Sequence, residues 1–167
     1  MAEITLQGNK INTNGDVPKV GSAAPDFVLV DSDLNDISLS NYDGKNIILN
    51  IIPSLDTPVC QKSTKIFNEK ASSLSDVVVL AVSADLPFAQ KRFCGAEGTE
   101  NIETLSAFRN IEKFSNDYGV AILDTSLQGL TTRAVLVLDE SNKVIHSELA
   151  PEITEEPNYD AALGVLR

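Results

Sequence analysis

Asn46 to Ile52 and Val77 to Ser83 are near-continuous runs of apolar, largely β-branched residues, the pattern of strands buried on both faces of a sheet. Between them, Val59, Ile66, Phe67, Ala71 and Leu74 recur at roughly helical spacing within Pro58 to Leu74. Two buried strands joined through one helix predict a β-α-β unit with a parallel crossover. The rest of the chain must be arranged around that unit.

Before it, Glu3 to Gln7 and Lys10 to Thr13 alternate apolar and polar around Gly8-Asn9, which predicts a small β-hairpin, with residues 1–16 as an N-terminal extension. Asp26 to Val30 and Asp36 to Leu39 read as two short strands around an acidic turn. That turn begins like a calcium loop, but counting from Asp31 its sixth and twelfth positions are Asp36 and Tyr42 where such a loop needs Gly and Glu. After the unit, Phe88 to Gly95 and Ile111 to Tyr118 read as helices, the second ending at Gly119. Arg133 to Leu138 and Lys143 to Leu149 read as an antiparallel hairpin, and Asp160 to Leu166 as a closing helix. The order predicts an α/β chain of the thioredoxin-like type, a mixed central sheet flanked by helices, in a single domain over residues 1–167. Order of elements alone says little about function.

The chain's 13 basic and 24 acidic residues give a net charge of −11, which argues against nucleic-acid binding, since that depends on clustered Lys and Arg. No apolar run reaches the roughly 18 residues of a membrane helix, and Met1 to Thr5 lack the basic and apolar regions of a signal peptide. The expectation is a soluble, cytoplasmic protein with no membrane partner. Two cysteines and one histidine cannot supply a usual four-ligand zinc site, and the cysteines lie too far apart for a knuckle. In a reducing compartment disulfides are transient and catalytic, so a pairing of the two would be chemistry. His146, mid-strand, is given no role.

The segment Pro53-Ser54-Leu55-Asp56-Thr57-Pro58-Val59-Cys60 sits where the first buried strand gives way to the helix. Thr57 reads as N-cap and Pro58 as the first helical residue, which places Cys60 third. Helix N-termini carry unpaired N–H groups and the positive end of the macrodipole, and so favour a thiolate. A free thiol, with a pKa of about 8.5, is only about 3% ionised at pH 7. Strand-to-helix turns at the carboxyl edge of a sheet are also where α/β proteins place their chemistry. Cys60 reads as a reactive thiol, against the alternative of an inert, buried small residue.

Pro53, Thr57 and Cys60 match the P-x-x-x-T-x-x-C pattern of the peroxiredoxins. Arg92 to Gly98, Thr132-Arg133-Ala134-Val135 and Pro151 to Asp160 extend the likeness, so that essentially the whole chain resembles the bacterial thiol peroxidase branch, the atypical two-cysteine peroxiredoxins. The resemblance implies a peroxidatic Cys60 that attacks a hydroperoxide as thiolate and leaves as sulfenic acid. It implies a resolving Cys94 that closes a Cys60–Cys94 disulfide, and Arg133 as the cation near the thiolate. Thr57 would cap the helix and hydrogen-bond the substrate oxygen, while Pro53 shapes the turn and shields Cys60 from water. Bridged Cα atoms must lie within about 7 Å, so the reduced form should keep the thiols apart, and either the first turn at Cys60 or the helix bearing Cys94 should unwind on oxidation. The resemblance further implies hydrogen peroxide and alkyl hydroperoxides as substrates, thioredoxin as reductant, a homodimer with its contact close to the site, and no metal, haem, flavin or nicotinamide. A thioredoxin-like thiol-disulfide oxidoreductase and a redox sensor stand as alternatives. Against the first, Thr57 stands where a C-x-x-C pair would have its leading cysteine.

Overall fold

The computed structural model describes residues 1–99 and 101–166. Strand β5 (Asn46–Ile51), helix α1 (Pro58–Ala71) and strand β6 (Val77–Ser83) form the expected unit, and β5 and β6 pair in parallel from Asn46↔Val77 to Ile51↔Val82. Around them the described residues form a sheet of seven strands, β3 (Leu29–Val30), β4 (Asp36–Ile37), β7 (Ile102–Ser106), β8 (Ala134–Leu138) and β9 (Val144–Leu149) joining β5 and β6 in the order β4-β3-β7-β6-β5-β8-β9. Strand β8 runs antiparallel to β5, and β9 antiparallel to β8.

Alternation along β5 sorts the core. Ile47, Leu49 and Ile51 meet Phe114 and Tyr118 of helix α3 (Ile111–Tyr118) on one face. Ile48 meets Phe67 and Ala71 of α1, and Ala162 and Leu163 of helix α4 (Tyr159–Gly164), on the other. Helix α2 (Pro87–Glu97) packs on β7. Each fully buried aliphatic or aromatic side chain contributes about 1.5–3 kcal/mol, so a strand apolar on both faces holds its helices from two sides.

At the amino end, β1 (Glu3–Leu6) and β2 (Asn9–Asn12) make the predicted hairpin. Leu6 pairs with Asn9, so the turn residues are Gln7 and Gly8 and not Gly8-Asn9, and both take positive φ, 51° and 82°. That is the turn whose twist matches a hairpin.

The structure corrects several expected boundaries. Strand β7 was not anticipated. The strand expected over Asp26 to Val30 is only Leu29–Val30, and the one expected over Asp36 to Leu39 stops at Ile37. Ser38 then opens a 3₁₀ turn, Leu39–Tyr42, its amide accepted by the Asn41 side chain. Helix α2 continues past Gly95 and ends at Gly98, whose φ of 66° suits a left-handed C-cap. Helix α3 stops, as expected, at Gly119, where a Cβ would clash with the Asp16 backbone. Arg133 lies just before β8.

Candidate active site

Strand β5 ends at the edge where the loop 52–57 delivers the chain into α1. Thr57 takes extended backbone angles and Pro58 the first helical position, so Cys60 falls in the first turn. The Thr57 side chain does not cap the helix, however. Its Oγ1 donates to the Ser54 carbonyl oxygen at 3.0 Å, closing the loop on itself. The hydroxyl proton is thereby engaged, and Thr57 can offer a substrate only its lone pairs.

Cys60 is fully buried in a small apolar cluster with Ile52, Leu55 and Phe93, against which Cys94 packs. Pro53, next to Ile52 in the chain, is buried as well. Arg133, with only 1% of its surface exposed, reaches the same place from the start of β8. Its Nη2 donates to Cys60 Sγ at 3.2 Å and its Nε to the Ile153 carbonyl at 2.9 Å, while Nη1 is buried without a partner. No carboxylate lies within salt-bridge distance of this guanidinium among the described residues. A buried cation without a directly paired carboxylate is costly; the Glu156 carboxylate, beyond salt-bridge reach, is still near enough for the two charges to act on each other. The vacant Nη1 donor points to a second acceptor, such as an oxygen. Cys60, Arg133 and Thr57 are thus brought to one end of α1.

Cys94 opens the last turn of α2, half-buried, its Sγ 4.0 Å from Thr104 Oγ1 of β7. Both cysteines are free thiols. A cleft of about 390 Å³ opens beside the start of α1, lined by Pro58, Val59, Lys62, Thr154, Glu155 and Glu156. Hydrogen bonds from Lys62 and Tyr159 hold the Glu156 carboxyl below the ordinary range. A second cleft of about 350 Å³, between Phe27 and Phe114, has no cysteine or histidine in its lining.

Three contributors escaped the sequence reading. The Ile153 carbonyl orients Arg133. Thr131 donates from Oγ1 to the Ile52 carbonyl at 2.7 Å, tying β5's end to the segment before Arg133. Asp85, after β6, accepts from Ser54 Oγ and from the Leu55 amide, each at 2.7 Å. Only the first had any trace in the sequence, as part of the Pro151 to Asp160 stretch.

A buried thiol at a helix start, held by a buried arginine at the edge of a thioredoxin-like sheet, defines a class of thiol-dependent oxidoreductase. The family model described as Redoxin matches residues 19–163. A thiol peroxidase of Mycobacterium tuberculosis is 55% identical over 166 residues, covering 99% of each chain. Among solved structures, a peroxiredoxin-like protein from Aquifex aeolicus matches with a TM-score of 0.91 at 41% identity, covering 99% of this chain and 96% of its own. A thiol peroxidase from Chromobacterium violaceum also matches at 0.91, over 98% and 94%, and at 24% identity it attests the fold alone. The chain belongs to the redoxin family and, within it, to the peroxiredoxin-type thiol peroxidases, oxidoreductases that act on peroxide.

Proposed function

We propose that this thiol peroxidase reduces hydrogen peroxide and alkyl hydroperoxides through Cys60 and is recycled by thioredoxin. The Cys60 thiolate attacks the terminal peroxide oxygen, an S–O bond forms as the O–O bond breaks, and the departing oxygen takes up a proton as water or alcohol. Cys94 then attacks the sulfenic sulfur, water leaves, and the Cys60–Cys94 disulfide awaits two electrons from a thioredoxin dithiol. The observation that carries this reading is the buried Arg133, with one N–H on the sulfur and Nη1 open for the peroxide oxygen as its charge develops. Thr57 and Pro53 shape the pocket around that oxygen.

The same reading treats residues 1–167 as one domain with residues 1–16 as its extension, working in the cytoplasm, where reduced thioredoxin is available. A homodimer is supported by exposed apolar residues close to the site. Leu86, Phe88, Phe108 and Val28 are 51%, 66%, 36% and 47% exposed. A Ser106 hydroxyl bond to the Asp85 carbonyl and an Asn110 bond to the Val28 carbonyl gather the segments that bear them along one sheet edge.

The test is a coupled assay with thioredoxin, its reductase and either hydrogen peroxide or an alkyl hydroperoxide. Cys60→Ser should abolish peroxide consumption, including the first turnover. Cys94→Ser should complete one turnover, leave a sulfenic acid that a dimedone-type reagent traps, and fail to recycle. Residual first-turnover activity in the first variant, or unimpaired steady-state turnover in the second, would sink the mechanism.

A further inference from the structure

Asp85 stands in the turn between β6 and α2, just ahead of the helix that carries Cys94, and it also reaches the loop that leads to Cys60. Its Oδ1 accepts from Ser54 Oγ at 2.7 Å, and its Oδ2 from the Leu55 amide and from Ser83 Oγ, both at 2.7 Å. Ser54 in turn accepts the Asp56 amide on its Oγ at 3.1 Å and the Thr57 hydroxyl on its carbonyl at 3.0 Å. From Ser54 to Thr57, the loop leading to Cys60 is therefore tied through Asp85 or through its partner Ser54, while Ile52 before it is held separately, by its amide on the Val82 carbonyl and by the Thr131 hydroxyl on its own carbonyl.

On its other side the same network reaches α2. Ser83 Oγ accepts from Gln90 Nε2 at 3.2 Å, and that amide also donates to the Leu105 carbonyl at 3.0 Å. Gln90 is fully buried and lies one helical turn before Cys94, on the same side of α2. A carboxylate that accepts three hydrogen bonds at such lengths is held rigidly, because bonds to a charged acceptor are about twice as strong as neutral ones.

We propose that Asp85 is a positioning residue for peroxide reduction: by fixing Ser54 and Leu55 it sets where Thr57 and the Cys60 sulfur stand relative to Arg133. The proposal rests on Cys60 being the peroxidatic thiol. Asp85 touches neither sulfur nor peroxide. Its effect is on alignment, which the in-line attack on an O–O bond requires and a simple alkylation of the same thiol does not. A misplacement of about 1 Å at a reacting centre costs on the order of 100-fold in rate.

The experiment compares, in reduced full-length protein, the first-turnover rate of Cys60 with hydrogen peroxide and its rate of alkylation by iodoacetamide. Asp85→Ala should slow the peroxide reaction by roughly 100-fold while alkylation is unchanged or faster. Asp85→Asn keeps an acceptor for the Leu55 amide, and serine hydroxyls can turn to accept from its NH₂, so it should restore most of the peroxide rate. If Asp85→Ala does not fold, Ser54→Ala serves in its place, with a smaller but selective loss of peroxide rate. A peroxide rate equal to wild type in Asp85→Ala or Ser54→Ala, an equal fall in both rates, or an Asp85→Asn rate as slow as that of Asp85→Ala would overturn the proposal. A wild-type protein that consumes no peroxide at Cys60 would instead remove the reading beneath it.

Discussion

Arg133 lies where almost no solvent reaches it, and its three nitrogens divide the work of the guanidinium. Nε on the Ile153 carbonyl sets the plane, Nη2 holds the sulfur, and Nη1 is left over. A lysine carries one compact ammonium and cannot keep this planar fork on two fixed acceptors while serving a third. Arg133→Lys should therefore lower the second-order rate with hydrogen peroxide by about 100-fold, the loss expected when one developing-charge donor is misplaced. Stopped-flow peroxide consumption checks this, and a rate within threefold of wild type would mean that charge alone suffices. Cys60 and Arg133 were legible in the sequence because a short local pattern and a distinctive strand start mark them. The position of Thr57 favours a side-chain cap, but its hydroxyl is turned back onto the Ser54 carbonyl, three residues earlier, and its oxygen accepts from no amide of the first turn. Asp85 left no mark at all, since its role exists only through contacts made about thirty residues away.

Helices α1 and α2 answer differently to the demand that the two thiols meet. Buried residues of α1 run from Cys60 through Ser63, Thr64 and Phe67 to Ala71, and the hydroxyls of Ser63 and Thr64 both donate to the Cys60 carbonyl. Those of α2 are Pro87, Gln90 and Phe93, all before Cys94. The turn from Cys94 to Glu97 buries nothing fully, contains Gly95, and is tied to α1 by the exposed Lys65–Glu97 pair at 2.6 Å, an interaction worth about 0–1 kcal/mol at a surface. Unwinding this turn costs less than unwinding the start of α1, so the oxidised protein should lose amide protection over residues 94–98 more than over 60–66. Hydrogen exchange on reduced and disulfide forms measures it, and the reverse pattern would place the rearrangement in α1.

Some elements are legible in the sequence and one is not. The buried strands and the amphipathic α3 carry their periodicity openly. Strand β7 reads Ile-Glu-Thr-Leu-Ser, which looks like a loop, because two of its buried positions are polar for local reasons. Thr104 stands near Cys94, and Ser106 bonds the Asp85 carbonyl. Polar residues that serve the site erased the signal of the strand.

Across the whole molecule, the N-terminal hairpin reaches the active site by a short chain of bonds. Thr5 donates its amide to the Pro151 carbonyl and accepts the Ile153 amide, at 2.8 and 2.9 Å, and the Ile153 carbonyl is the one that orients Arg133. Ile4, Ile11, Ile122 and Ile153 form an apolar cluster beneath this junction. Glu152 clamps it. Its carboxylate accepts from the hydroxyls of Thr5 and Thr154 and from the amides of Gly8, Gln7 and Thr154. These bonds, those of Thr5 and Thr154 foremost, hold the Glu152 carboxyl down to about 2 from an ordinary value of 4.5. A carboxyl depressed in the folded state binds its proton more readily when the chain is unfolded, so it stabilises the fold fully above pH 4.5 and loses that contribution as the pH falls toward 2. Glu152→Gln should accordingly melt below wild type at neutral pH, with a difference that narrows through this window and closes near pH 2. Thermal unfolding of both proteins from pH 7 to pH 2 checks it, and a difference that stayed constant with pH would show that the carboxylate's charge is not what fastens the hairpin to the strand beside Arg133.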